Sequence, residues 1–343
     1  MSKYVVTGGA GFVGSNLSRS LLEDGHDVTV LDNLSRKGVT ANLEWLRSGP
    51  GRERLTIVEA DVRDGEALAR TLDGAEAVFH FAGQVAVTSS LADPRHDFEV
   101  NAHGTFNLLE VVRASQRPPA VLFTSTNKVY GSLSRLQARE LPGRYELVDC
   151  PYGVNESEPL DFHSPYGCSK GTADQYVRDY SRIYGLRTVV FRMSCIYGVR
   201  QFGTEDQGWV AHLMLKAFRG EQVTIFGNGK QVRDLLYVAD LVRAFKAAAR
   251  LAAQGESGVY NIGGGLANTL SIVELLEYLE QRLGRKIDVR FGSIRPGDQP
   301  IYISDTARAR QKLDWQPEVS VRQGLDRLAD WLGEVDKLLG RQA

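Results

Sequence analysis

The sequence predicts an α/β protein: a Rossmann-type doubly wound parallel sheet with a smaller α+β C-terminal domain. Three features predict it. Apolar strands alternate with amphipathic helices through the first half, a glycine-rich turn follows the first strand, and the alternation stops near residue 193. Such alternation means parallel pairing, because each return to the same edge needs a crossover, and the crossover helices then cover both faces.

Taken in order, strands are expected at 3–7, 27–31, 55–59, 77–80, 120–125 and 187–192. Helices at 12–24, 64–72, 100–115 and 168–183 separate several of them. The turn after the first strand reads Thr7-Gly8-Gly9-Ala10-Gly11-Phe12-Val13-Gly14. Residues 131–164 show little periodicity and carry glycine, proline and charge. Loops of that length are functional or disordered. Beyond 193, a helix near 208–219, a short strand Thr224-Ile225-Phe226 and an acidic helix near 270–284 suggest a substrate domain. The segment 234–251 and the strand Val259-Tyr260-Asn261-Ile262 are expected to return to the first domain. The predicted domains are residues 1–192 plus about 234–265, and about 193–233 plus 266–343.

The chain has 343 residues and a formal net charge of −1. That balance gives no global field for nucleic acid or an anionic membrane. No apolar run approaches the ~20 residues of a membrane span. Met1-Ser2-Lys3 leads straight into the first strand, without a signal-peptide pattern. Cys150, Cys168 and Cys195 show no metal-ligand spacing and cannot all pair. Reduced thiols in a cytoplasm fit best, and no metal is expected.

The glycine turn carries chemistry. Its glycines let the backbone turn tightly and approach a pyrophosphate, which sits on the helix N-terminus. Asp32 ends the second strand where a carboxylate accepts the hydroxyls of an adenosine ribose. Its charge repels a 2′-phosphate, so NAD is expected rather than NADP, with Arg36 and Lys37 as opposing charges nearby. Tyr166 and Lys170 are four apart, so one helix face carries both. A phenol ionises near pH ~10, and a base at neutral pH needs that lowered by about three units, roughly 4 kcal/mol. One ammonium at ~4 Å in a dielectric of ~20 supplies about that much. Lys170 is therefore expected to lower the phenol of Tyr166, which then takes a hydroxyl proton. Thr126, ending the strand Val121-Leu122-Phe123-Thr124-Ser125, is expected to hold the substrate oxygen and share its proton.

These motifs resemble a known family. Thr7-Gly8-x-x-Gly11-x-x-Gly14, Asp61, His80-Phe81-Ala82-Gly83, Asn101, Ser125-Thr126, Val129-Tyr130-Gly131 and Tyr166-x-x-x-Lys170 are similar to those of the extended short-chain dehydrogenase/reductases. Arg233-Asp234, Asn261-Ile262-Gly263-Gly264 and Trp315-Gln316-Pro317 extend the resemblance over nearly the whole chain. Within the family, Asp32-Asn33-Leu34-Ser35-Arg36-Lys37-Gly38, Ala82-Gly83-Gln84-Val85-Ala86-Val87-Thr88 and Asp206-Gln207-Gly208-Trp209-Val210 resemble the CDP-paratose 2-epimerase branch. So do Ser125-Thr126-Asn127-Lys128-Val129-Tyr130-Gly131 and the run from Leu160 to Lys170.

The resemblance implies bound NAD, touched by Gly8, Gly11, Phe12, Val13, Asp32, Asn33, Asp61, Val62, Ala82, Gln84, Asn101, Ser125, Tyr166 and Lys170. It implies a nucleotide-sugar substrate, a CDP-hexose by preference, near Gln84, Val87, Thr88, Thr126, Asn127, Lys128, Arg200, Arg233 and Arg295. The arginines would serve the diphosphate. It further implies a homodimer or homotetramer formed through the helices at 100–115 and 168–183, and a place in lipopolysaccharide O-antigen sugar synthesis. Dehydratases of the superfamily carry Asp-Glu directly after the strand-end threonine. Here those positions are Asn127 and Lys128, which disfavours removal of water. Cys195 stands where many relatives carry asparagine. His103 and His163 receive no role.

The leading expectation is an isomerase that oxidises C2 of a CDP-sugar, CDP-paratose going to CDP-tyvelose, and returns the hydride to the other face. The alternatives are an epimerase of another CDP-, GDP- or UDP-hexose or at C4, a non-catalytic dinucleotide sensor, and a net dehydrogenase using free NAD.

Overall fold

The computed structural model describes residues 2–204, 207–294 and 299–339. In chain order it begins with β1 (Lys3–Thr7), α1 (Phe12–Glu23), β2 (Asp27–Asp32), α2 (Val39–Arg47), β3 (Leu55–Glu59) and α3 (Gly65–Leu72). It continues with β4 (Ala77–His80), α4 (Val87–Ala92), α5 (Pro94–Phe98), α6 (Gly104–Ala114) and β5 (Ala120–Thr126). A hairpin of β6 (Ala138–Glu140) and β7 (Tyr145–Leu147) precedes α7 (Ser164–Tyr184), β8 (Thr188–Met193) and β9 (Cys195–Tyr197). Then come α8 (Trp209–Arg219), β10 (Val223–Phe226), β11 (Val232–Tyr237), α9 (Val238–Ala253), β12 (Gly258–Ile262) and β13 (Thr269–Ser271). The last elements are α10 (Ile272–Leu283), β14 (Val289–Gly292), β15 (Ile301–Tyr302), α11 (Ala307–Leu313) and α12 (Val321–Leu339).

Seven strands form one parallel sheet in the order β12-β8-β5-β4-β1-β2-β3. This is the doubly wound sheet that the alternation predicts. Its buried side chains divide by residue parity, as a period of two requires when both faces are covered. Tyr4 and Val6 of β1 and Leu122 of β5 pack with Leu17, Leu43, Phe245 and Leu313 from α1, α2, α9 and α11. Val5 and Val121 pack instead with Leu68, Leu108 and Val177 from α3, α6 and α7.

The later strands build smaller sheets: β13-β11-β15 with β9 added to β11, and the pair β10–β14. A separate apolar core joins them to α8, α10 and α12 through Met214, Ile225, Leu235, Leu279 and Leu328. Residues 234–237 thus stay in β11, and it is α9 that returns to the large sheet. The stretch 131–164 contains the hairpin. It is pinned to the smaller sheets by Tyr145 N–H to Lys230 O (2.9 Å) and by Arg144 to Glu274 (2.9 Å). The helix expected at 168–183 begins earlier, at Ser164 with Pro165 in its first turn, where a missing N–H costs nothing. The helix expected from residue 100 begins as a π-helical turn, Glu99–His103, before α6. No helix among the described residues is long and apolar enough to cross a membrane.

Candidate active site

The carboxyl ends of β1, β2, β4 and β5 converge with the start of α7. Thr7 leads into Gly8, whose φ is +66° and whose Cα faces the backbone of Ala82; a Cβ there would lie 2.6 Å from Ala82 N. A Cβ on Gly14 would lie 2.3 Å from Gly8 O, so α1 packs against the turn only because both residues are glycine. Gly11 is the N-cap of α1 and makes no side-chain cap. The first-turn N–H groups of Phe12, Val13 and Gly14 therefore have no capping acceptor from it. Beside them Asp32 accepts from Ala10 N (3.0 Å) and Leu34 N (2.9 Å). Burial raises its pKa, opposed by these amides and by Arg36.

Asn33 donates to Asp61 (2.9 Å), whose carboxyl the Arg63 guanidinium holds well below the usual range. Val62 is buried beside it. On the other side of the cleft, Asn101 Oδ1 and Ser125 Oγ are buried without a hydrogen-bond partner. Unpartnered buried polar atoms in a native fold call for a ligand or water. A glycine turn with uncapped N–H groups, a carboxylate at the next strand end and two orphaned polar atoms fit a dinucleotide laid across the sheet.

Tyr166 and Lys170 lie on one face of α7, both buried. The phenol hydrogen-bonds with the Thr126 hydroxyl, and Tyr166 N donates to Ser90 Oγ (3.1 Å). Lys170 Nζ sits 4.3 Å from the centre of the Phe123 ring. The three expected residues are thus together, but the expected pKa is corrected. Burial pushes the phenol up to about 12, with Thr126 and Arg36 lowering it and Asp97 raising it. Burial also takes Lys170 down to about 7, against the pull of Asp174 and Asp97.

Asp97 was not visible in the sequence motifs. It is fully buried and accepts from Ser169 Oγ (2.5 Å) and Asn101 Nδ2 (3.2 Å), behind Lys170. Burial raises its pKa while Ser169 opposes. The only sequence signal is helical spacing: Asp97 precedes Asn101 by four, and Ser169 adjoins Lys170.

On the substrate side, Thr88 Oγ1 is buried without a partner, while Gln84 folds back onto Ala86 N and O (3.0 and 2.7 Å). Val87 lies beside them at the start of α4. Asn127 Nδ2 donates to Gln299 Oε1 (3.3 Å), and Lys128 N to Thr126 Oγ1 (3.2 Å). Arg233 donates to Gln299 O (2.6 Å) and Val232 O (2.8 Å). Gln299, distant in sequence, therefore joins Asn127 to Arg233. Burial raises the Cys195 thiol, which hydrogen-bonds Trp209 within reach of the charges of Arg233 and Lys128. The Arg200 side chain goes elsewhere than expected: its φ is +69° and its guanidinium stacks 4.4 Å over Trp45 of α2. Arg295 lies outside the described residues.

Beneath the site, Arg192 and Asp174 form a buried two-pronged ion pair (2.9 and 3.0 Å). Arg192 also reaches Tyr130 OH (3.3 Å), which donates to Asn261 Oδ1 (2.7 Å). Among the described residues no cluster of His, Cys, Asp and Glu could hold a metal.

Residues 5–328 match the family model described as GDP-mannose 4,6 dehydratase. The chain is 44% identical to the CDP-paratose 2-epimerase of Salmonella typhi, over 97% of this chain and all of that protein. A dTDP-glucose 4,6-dehydratase from Streptomyces venezuelae, solved with NAD bound, is 32% identical with a TM-score of 0.83, covering 98% of both chains. A UDP-glucose 4-epimerase from Thermotoga maritima, solved with UDP-glucose, is 31% identical with a TM-score of 0.80, over 97% of this chain and 99% of that one.

Proposed function

The chain belongs to the GDP-mannose 4,6 dehydratase family of extended short-chain dehydrogenase/reductases, and from that premise we propose that it is an NAD-dependent epimerase inverting C2 of CDP-paratose to give CDP-tyvelose. The observation that carries this reading is the 44% identity to a 2-epimerase over 97% of the chain. The residues after Thr126 agree with it. An amide and an ammonium, Asn127 and Lys128, cannot act as the carboxylate acid and base of a dehydratase.

Gly8, Gly11 and the first turn of α1 would hold the NAD diphosphate, Asp32 its adenosine ribose, and Asn101, Ser125 and Lys170 its nicotinamide end. NAD⁺, when bound, supplies the hydride acceptor, a positive charge beside the phenol and the hydride that returns. Thr126 holds the sugar oxygen. Tyr166 takes the C2 hydroxyl proton during oxidation and gives it back during reduction. Arg233 grips the diphosphate while the 2-keto sugar turns its other face, and Thr88 offers its hydroxyl to the sugar. Residues 1–192 with 238–265 are read as the NAD-binding part, and 193–237 with 266–343 as the nucleotide-sugar part, since β11 stays with the smaller sheets. The exposed aromatic side of α5–α7 is read as the contact of a homodimer or homotetramer in the cytoplasm.

A panel of CDP-, GDP- and UDP-sugars, assayed for new C2 epimers, tests the assignment. CDP-paratose labelled with deuterium at C2 should give CDP-tyvelose that keeps the label there, and turnover in heavy water should leave C2 unlabelled. Loss of deuterium to water would mean carbanion chemistry instead.

A further inference from the structure

Two loops from different sheets meet beside the glycine turn: residues 33–38 after β2, and residues 198–204 with 207–208 after β9. Phe202 lies against the bare Cα of Gly38, where a Cβ would come within 2.3 Å of the ring and φ is +86°. Only glycine permits both. Asn42 Nδ2 donates to the carbonyls of Ala10 (3.1 Å) and Arg200 (3.4 Å), and Asn16 Nδ2 to those of Phe12 (2.9 Å) and Val199 (3.1 Å). The two loops and the turn are therefore one platform. From it the Arg36 guanidinium reaches across to donate to Gln207 Oε1, 171 residues away. Gln207 is itself held by backbone hydrogen bonds to and from Thr204 (3.2 and 2.9 Å).

The place of this bridge is informative. The charge of Arg36 acts on both the Asp32 carboxylate and the Tyr166 phenol. These two residues mark the adenosine and nicotinamide ends of the cofactor in the reading above. Arg36 is open to water, yet surrounding protein is enough to lower its pKa. That combination describes a side chain lining an open cleft. What joins the two ends of a dinucleotide is a diphosphate, and a planar guanidinium can hold a phosphate on one edge and an amide oxygen on the other.

We propose that Arg36 and Gln207 form a latch over the diphosphate of the bound dinucleotide, which retains the cofactor from one turnover to the next. The proposal rests on the NAD reading and deepens it. An enzyme that returns a hydride to the same sugar cannot release its reduced cofactor midway, and the glycine turn alone supplies no full positive charge to hold the diphosphate.

The test is exchange of bound cofactor. Purified holoenzyme, Arg36→Met, Gln207→Ala and the double variant are freed of loose nucleotide and mixed with excess isotope-labelled NAD⁺. The cofactor retained with time is then read by mass spectrometry. Arg36→Met should exchange about tenfold faster or more, the size of one lost charge-assisted contact. Gln207→Ala should exchange faster by less, and the double variant no faster than Arg36→Met, because the two act as one unit. Raising the salt concentration should speed exchange in the wild type and not in Arg36→Met. A wild-type exchange rate in folded Arg36→Met, or additive effects of the two substitutions, overturns the latch and leaves the NAD reading standing. A wild-type chain that purifies without nicotinamide dinucleotide and cannot be loaded overturns both.

Discussion

At Tyr166, burial and charge act against each other. Burial pushes the phenol up to about 12 and takes Lys170 down to about 7. In the function proposed above, the positive charge of bound NAD⁺ would lower the phenol toward the range of a base. Tyr166→Phe should fold and keep its cofactor while turnover drops by ~10²–10⁴, the usual worth of a positioned acid/base group. Steady-state assay beside cofactor content checks it, and near-normal turnover would refute Tyr166 as the base. The motif residues were legible because their spacing is local: Gly8 to Gly14 lie on one turn, Tyr166 and Lys170 on one helix. The sign of the phenol shift was not, because the cost of burial depends on every element packed around it. Gln299 and Asp97 were hidden for a related reason, since their partners are distant in sequence or carry no motif. Arg200 adjoins a motif, but a left-handed backbone turns it toward Trp45, and no pattern announces that.

Strand β4 carries a polar tie inside an apolar sheet. His80 is fully buried, with Nδ1 2.7 Å from Thr7 Oγ1 and Nε2 3.0 Å from Thr105 Oγ1, so it joins β4 to β1 and α6. Burial, with the nearby Lys170, takes its pKa down to about 3 from 6.5. Between those values the unfolded chain binds a proton that the folded chain does not. Stability is therefore complete above pH ~6.5 and falls on acidification, by up to about 1.4 kcal/mol per pH unit from this group. Urea unfolding at pH 6.5 and 5 should show that loss, and His80→Gln should show less of it. An equal slope in the variant would remove His80 as the cause. The large sheet was legible because each strand has an apolar run and a helix beside it. The hairpin β6–β7 was not, because each strand has only three residues, too few to show a period. It is held by its ties to Lys230 and Glu274 and by Tyr145 and Leu147 packing against Val232, Ile301 and Ile303, which no local pattern encodes.

On the whole molecule, α5, α6 and α7 leave Phe98, Phe106, Tyr176, Ile183 and Tyr184 exposed. Phe106, Tyr176, Tyr180 and Tyr184 follow one another in ring contact, at 5.7, 6.3 and 4.9 Å. In the oligomer proposed above, this strip is the association surface. Sedimentation at micromolar concentration should give a dimer or tetramer, and Ile183→Glu should shift it toward monomer. A monomer in the wild type would contradict the reading. The junction between the large and the smaller sheets has its own consequence. Only Ser194 separates β8 from β9, and its hydroxyl donates to Asp234 O (3.0 Å) while its N–H donates to Ile262 O (3.0 Å). The frame is spliced there like two beams sharing a bolt. A change at that bolt would be felt in both sheets at once, whereas the loops around the cleft can vary while the frame stays as it is.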